Sequence, residues 1–174
     1  DSYSSQSGGS IYLYYTPTTR TTLLENVVVD AFTSSSTSNG VIYAAYSNAE
    51  INNVAVVDSD GHAALWVQGT SSIEAEVTVR NSIFAYNDTT YAIYASDRGT
   101  LSTTSVEYSV LVEPSTAYAS SGAEILGETV FVDEDPQFSS FSQDSDGTND
   151  KLALSKNSPF IDAGDPSSEY NDPD

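Results

Sequence analysis

Four hexapeptides superimpose without gaps: Leu24-Glu25-Asn26-Val27-Val28-Val29, Ile51-Asn52-Asn53-Val54-Ala55-Val56, Val79-Arg80-Asn81-Ser82-Ile83-Phe84 and Val106-Glu107-Tyr108-Ser109-Val110-Leu111, at steps of 27, 28 and 27 residues. A unit this short cannot bury its own apolar face, so neighbouring units must stack to make a core. A second column lies upstream of each: Ile11-Tyr12-Leu13, Ile42-Tyr43-Ala44, Leu65-Trp66-Val67 and Ile93-Tyr94-Ala95, at steps of 31, 23 and 28. Both columns are short, β-branched or aromatic, and alternate with a period of two. Ser, Thr, Asn, Asp and Gly fill the intervals, which is the pattern of strands joined by turns. No window sustains the i, i+3, i+4, i+7 apolar spacing of a helix.

Propeller blades use four strands and about 40 residues per unit. Two strands in about 27 residues fit one coil of a parallel β-helix better, with equivalent positions about 4.8 Å apart along the axis. The expected fold is therefore all-β: a short right-handed parallel β-helix of about four coils over residues 1–125, then an irregular C-terminal capping segment, 126–174, of the same domain. Asn26, Asn53 and Asn81 are expected to stack at a turn, their amides satisfying backbone groups between coils, with Tyr108 interrupting that ladder.

Simple alternation places Ile11, Leu13, Ile42, Ala44, Leu65, Val67, Ile93 and Ala95 inside, and Tyr12, Tyr43, Trp66 and Tyr94 outside as an aromatic stripe. In the second column it places Val28, Ala55, Ile83 and Val110 inside. Val29, Val56, Phe84 and Leu111 then form an outer apolar stripe, covered either by the C-terminal segment or by another copy of the chain. Inverted parity at that strand is the competing arrangement. Stacked Tyr and Trp rings also suit a carbohydrate platform, a flat apolar face with a polar tip.

At this point the chain resembles the parallel β-helix repeat family of secreted bacterial and archaeal surface proteins, pectate-lyase-like in fold. Asp135-Pro136-Gln137-Phe138, Leu152-Ala153-Leu154 and Ser158-Pro159-Phe160-Ile161-Asp162-Ala163-Gly164-Asp165-Pro166 together look like the closing segment of many such proteins. In that family the segment runs on to a further short Gly-Ala-aromatic strand, whereas here the chain stops at Asp174. The resemblance implies an architecture and an extracellular or cell-surface setting, not a reaction.

Charge narrows the partners. Among 174 residues, 25 Asp and Glu against five Lys and Arg give a net charge of -20, which repels nucleic acid and anionic membrane surfaces. No run approaches the roughly 18 apolar residues of a spanning helix, so membrane insertion is not expected. There is no Cys, and no Met either, so the chain is expected to have been cut from a precursor, most commonly by loss of a secretion signal. Asn87-Asp88-Thr89 is a glycosylation acceptor sequence, making Asn87 a candidate.

No catalytic residue is assigned. His62, in Asp58-Ser59-Asp60-Gly61-His62, reads as a solvated turn residue rather than a base. Lyases of this fold resemble calcium-dependent enzymes with a Lys or Arg base, but Arg20, Arg80 and Arg98 fall at non-equivalent positions. The firmest chemical signal is Asp144-Ser145-Asp146-Gly147-Thr148-Asn149-Asp150, where alternating oxygens and a Gly suggest a calcium loop held by Asp144, Asp146, Thr148 and Asp150. Its register fails the helix-loop-helix pattern, whose first and twelfth positions would be Ser142 and Ala153. Adaptation to high salt is the competing explanation of the acidity.

The functional expectation is a noncatalytic extracellular structural or adhesive protein that associates with itself, head-to-tail as a filament or laterally as a surface-layer subunit. The alternative is a carbohydrate-binding module, or the remnant of a polysaccharide lyase or hydrolase, acting on cell-surface polysaccharide through Tyr12, Tyr43, Trp66 and Tyr94.

Overall fold

The computed structural model describes residues 3–4, 9–14, 19–34, 40–70, 72–96, 102–112, 116–120, 123–127 and 129–167. The described residues form an all-β solenoid of stacked parallel strands. One sheet has five strands, Ile11–Tyr14, Gly40–Ala45, Asp60–Gln68, Asp88–Ser96 and Thr116–Ser120, each pairing in parallel with its successor. Its register joins Ile11 to Ile42, Ile42 to Leu65 and Leu65 to Ile93, the columns expected from the aromatic triplets. Ile42, Leu65 and Ile93 are fully buried.

The second sheet begins with Thr22–Asp30 and Ala49–Val57, continues through Ala75–Arg80 with Ile83–Ala85 and Ser102–Glu107 with Val110–Leu111, and ends with Ala123–Leu126 and Phe131–Val132. Leu24 pairs with Ile51, Ile51 with Val79 and Val79 with Val106. Phe131–Val132 still pairs in parallel with Val110–Leu111, so the coils run a few residues past the expected boundary at 125.

Each coil turns a corner inside this sheet on one residue with a left-handed backbone: Asn26 (φ 56°), Asn53 (φ 53°), Asn81 (φ 50°) and Tyr108 (φ 48°). Asn tolerates this conformation better than most residues, which is the local reason for the Asn column. The amides correct the expected ladder by bonding side-chain oxygens rather than backbone groups, and Tyr108 keeps the corner without an amide. The Asn53 amide donates to Asn26 Oδ1, while the Asn81 amide donates to Asn52 Oδ1 at 3.0 Å.

The corner corrects the expected parity. A left-handed residue interrupts strict alternation, so the inward positions flanking Asn53 are Ile51 and Val54, three apart, followed by Val56. Val29, Val56, Phe84 and Leu111 are therefore core residues and not an outer stripe. Val28, Ala55, Ile83 and Val110 face outward instead, with Val28 60% exposed.

Corners leave backbone N–H groups pointing along the axis, and buried hydroxyls of the next coil accept them. Val54 N–H donates to Ser82 Oγ at 3.2 Å, and Ser82 N–H donates to Ser109 Oγ at 3.2 Å. A parallel ladder runs from Phe32 N–H to Ser59 Oγ, 3.2 Å, and from Ser59 N–H to Asn87 Oδ1, 3.1 Å. These polar side chains sit in the interior because they complete the backbone pairing there.

The C-terminal segment lies along the side of the coils. Its antiparallel pair, Phe138–Ser140 with Lys151–Leu154, and Phe160 pack with Val57, Ala85, Val110 and Val112 in a second apolar cluster. Of the first ten residues, 1–2 and 5–8 lie outside the described ones.

The parity can be read from one substitution made in two adjacent columns. Val56→Thr buries a hydroxyl in the core and should cost about 1–3 kcal/mol, whereas Val28→Thr should change stability by no more than about 0.5 kcal/mol. Urea unfolding of both variants checks this, and equal losses would contradict the register described.

Candidate functional site

Three surface features could carry function: the aromatic face of the first sheet, the groove beside the Asn corners, and a carboxylate cluster where the C-terminal segment meets the coils.

The aromatic column is continuous. Tyr12 stacks on Tyr43 at 5.2 Å between ring centroids, Tyr43 meets Trp66 at 5.3 Å, and Trp66 meets Tyr94 edge-on at 5.4 Å. Strand spacing of about 4.8 Å forces these contacts, so each ring's faces are largely taken by its neighbours. Tyr43 is buried although it lies on the outer side, and its hydroxyl donates to Gln68 Oε1. Trp66 Nε1 donates to Ser96 Oγ at 2.9 Å. Among the described residues the well-exposed rings are Tyr12, 46%, and Tyr14, 57%. His62 corrects its expected place: it sits half-buried on strand Asp60–Gln68, with its ring 4.8 Å from Tyr94, 5.1 Å from Trp66 and 5.2 Å from Tyr91.

The groove, about 460 Å³, has Val28, Ala55 and Ile83 as its floor, and the Asn corners and Leu152 among its walls. The closing segment is anchored beside it by charge and hydrogen bonds. Arg80 pairs with Glu107 and with Asp165, each at 2.9 Å, while Asp165 N–H donates to Asn81 Oδ1 at 2.7 Å. Ser158 Oγ donates to the Pro136 carbonyl at 2.7 Å, joining two parts of the closing motif. Arg80 is thus engaged in fastening the segment.

The expected calcium loop is arranged differently from its sequence pattern. Asp144 accepts from Ser142 Oγ at 3.0 Å, Asn149 Nδ2 at 3.2 Å and Asp146 N–H at 3.0 Å. Asp146 accepts from both the amide and the hydroxyl of Thr148. These bonds close the loop on itself, and the Asn149 amide, then the Asp146 N–H and Ser142, hold the Asp144 carboxyl below the ordinary carboxylate range. Asp150 alone of the four expected ligands joins a cluster, with Asp30 and Asp58: one oxygen from each lies within 4.8 Å of the others.

Sequence reading missed Asp30 and Asp58 because they lie at the ends of two different coils' strands, Asp30 closing one and Asp58 following the other, far from the loop in the chain. Equal spacing was the available signal: Asp58 follows Val57, which pairs with Asp30. Burial, then the charges of Asp150 and Asp58, raises the Asp30 carboxyl above the ordinary range. Burial likewise raises Asp58, opposed by the Ser145 N–H that donates to its Oδ2 at 2.6 Å.

Asn87 is buried and its amide is committed. Oδ1 accepts from Ser59 N–H, and Nδ2 donates to the Val56 carbonyl at 2.9 Å. The nitrogen that a glycan would occupy serves as a link between coils in the folded chain.

No family model, no curated protein and no solved structure matches the chain. Among the described residues, no helix is long and apolar enough to cross a membrane.

Tyr86, at another left-handed corner, donates through its hydroxyl to Asp135 Oδ1 and tethers the start of the closing motif. That bond, with the Gln137 N–H, lowers the Asp135 carboxyl. A depressed carboxyl stabilises the fold above its ordinary value of 3.8 and loses that contribution as pH falls through the lowered one. Tyr86→Phe should therefore lower the Tm at pH 7 by about 1–3 °C, and this difference should shrink as pH falls below the ordinary carboxylate range, as calorimetry over a pH series would show.

Proposed function

We propose that the chain is a noncatalytic structural or adhesive module of an extracellular or cell-surface protein, which associates with copies of itself by stacking coil on coil. One observation carries the reading. In the first coil Ile11, Leu13, Leu24 and Val27 are only partly buried, while their counterparts Ile42, Ala44, Ile51 and Val54 are almost fully enclosed. Among the described residues, Ile11–Tyr14 and Thr22–Asp30 have no strand on their outer side, and Thr116–Ser120 and Ala123–Leu126 are edges at the opposite end.

Edges of this kind present unpaired backbone groups and an open core. Because all the coil strands run parallel, the end of one copy complements the start of the next in the same sense. Such a contact is heterologous, does not close on itself, and propagates as a filament. Right-handed winding and kinship with the pectate-lyase-like surface proteins belong to this proposal. The kinship is supported by the closing motif, whose Ser158, Phe160 and Asp165 all fasten the segment to the coils or to itself. The extracellular setting follows from that kinship and from the strongly acidic composition.

Alternate N–H groups of an edge strand point outward. Thr22 N–H donates inward to the Asn48 carbonyl, so Leu23 N–H faces the open edge. Leu23→Pro removes an outward donor and leaves the internal ladder intact. Sedimentation velocity should show wild-type protein growing into higher species with concentration, and Leu23→Pro remaining monomeric with a similar Tm. A wild type that stays monomeric throughout would refute the proposal.

The second reading, carbohydrate binding, is favoured by the exposed Tyr12 and Tyr14 at the end of the aromatic column. On that reading the contact falls on Tyr12 rather than on Trp66, whose indole N–H already has a partner. Glycan-array binding by the monomeric variant, reduced about three- to tenfold by Tyr12→Ala, would favour it over assembly.

A further inference from the structure

We infer that Asp30, Asp58 and Asp150 form a site for one hard divalent cation, calcium by their chemistry, which clasps the C-terminal segment to two successive coils. Three oxygens within 4.8 Å of one another, one from each carboxylate, is the first observation. The second is independent of the clustering: Asp30 Oδ1 and Asp150 Oδ2 each expose less than 1 Å² to solvent and have no hydrogen-bond partner. Carboxylate oxygens withdrawn from water without a donor or a cation are strongly disfavoured, and nearby carboxylates of like charge make this worse.

The surroundings hold the three groups in place by backbone donors rather than by cationic side chains. Ser145 N–H is bonded to Asp58, and Ser142 N–H to Asp150 Oδ1 at 2.9 Å. The loop also lies directly against Asp30. A Cβ on Gly147 would come within 2.8 Å of Asp30 Cγ and Oδ2, so a larger residue there would displace the Asp30 carboxylate. All-oxygen carboxylate donors match calcium, which accepts six to eight oxygens in flexible geometry, better than they match a softer ion.

The position gives the ion a mechanical role. Asp30 closes strand Thr22–Asp30, Asp58 follows strand Ala49–Val57, and Asp150 precedes strand Lys151–Leu154. A cation there joins three elements that no covalent link connects. This proposal does not depend on self-association, and it is tested in the monomeric Leu23→Pro protein so that failure of either idea is recognisable separately.

Chelator-treated protein is titrated with CaCl₂ by isothermal calorimetry and followed by thermal unfolding. The expected result is one ion per chain, with Kd in the range of about 0.1–1 mM, and a Tm rise of about 5–10 °C at a hundredfold excess over Kd. Asp58→Asn and Asp150→Asn retain acceptor oxygens for Ser145 and Ser142, so both should stay folded in chelator while losing calcium binding at least tenfold. Asp144→Asn, in the self-satisfied part of the loop, should bind as wild type does. The inference is overturned by an absence of binding at 10-fold above the expected Kd, by retention of binding in Asp58→Asn and Asp150→Asn, or by its loss in Asp144→Asn alone. It is equally overturned if NaCl at matched ionic strength reproduces the whole Tm rise, since that is screening and not coordination.

Discussion

The in-register stacking of one coil on the next is the constraint from which the rest follows. Parallel strands about 4.8 Å apart oblige each residue to sit above its equivalent, so every property of a position becomes a property of a column. Apolar columns such as Ile42, Leu65 and Ile93 make the core, and the Tyr12, Tyr43 and Trp66 rings stack because their strands leave them no other spacing. The same constraint explains the buried polar residues. A corner that frees a backbone N–H in one coil frees it in each coil, so the answer must also repeat, as Ser82 and Ser109 do for successive corners.

Stacking also concentrates charge. A carboxylate at the end of one strand meets whatever ends the strand above it and whatever packs alongside. With 25 acidic residues and five basic ones, that neighbour is seldom a cation from the protein itself. Arg80 is an instructive exception: its two ion pairs fix Glu107 on the coils and Asp165 on the closing segment. At the other side of the segment no Arg or Lys faces Asp30, Asp58 and Asp150 in an ion pair among the described residues, and burial raises Asp30 and Asp58 instead. The segment is thus held by an internal ion pair at one side and sets Asp150 against Asp30 and Asp58 at the other.

Much of the architecture was legible in the primary structure because a gapless repeat carries register directly. The pairing of Leu24, Ile51, Val79 and Val106, and of Tyr12 with Tyr43 and Trp66, is the alignment of the repeat itself. The inward and outward assignment failed just past Asn26, Asn53 and Asn81, where a left-handed residue offsets the count by one and moves Val29, Val56, Phe84 and Leu111 into the core. The Asn column was visible, but its effect on parity is a backbone angle and is not written in hydrophobicity. The loop at 144–150 was legible as acidic and turning, yet Asp144 and Asp146 bond within the loop, while Asp150 accepts from Ser142 and also meets Asp30 and Asp58 on the coils.

What the residues alone determined was periodic: the strand columns, the all-β class, the corners and the acidity, since each depends only on composition or on spacing along the chain. What only the tertiary structure decided was non-periodic: that the closing segment lies against Val110 and Phe131, that Asn87 is spent between coils, and that Asp150 meets Asp30 and Asp58. The segment has no repeat to align with. Its place is chosen by which outer column offers apolar area and which corner offers Arg80 and Asn81, and those surfaces exist only after the coils have stacked.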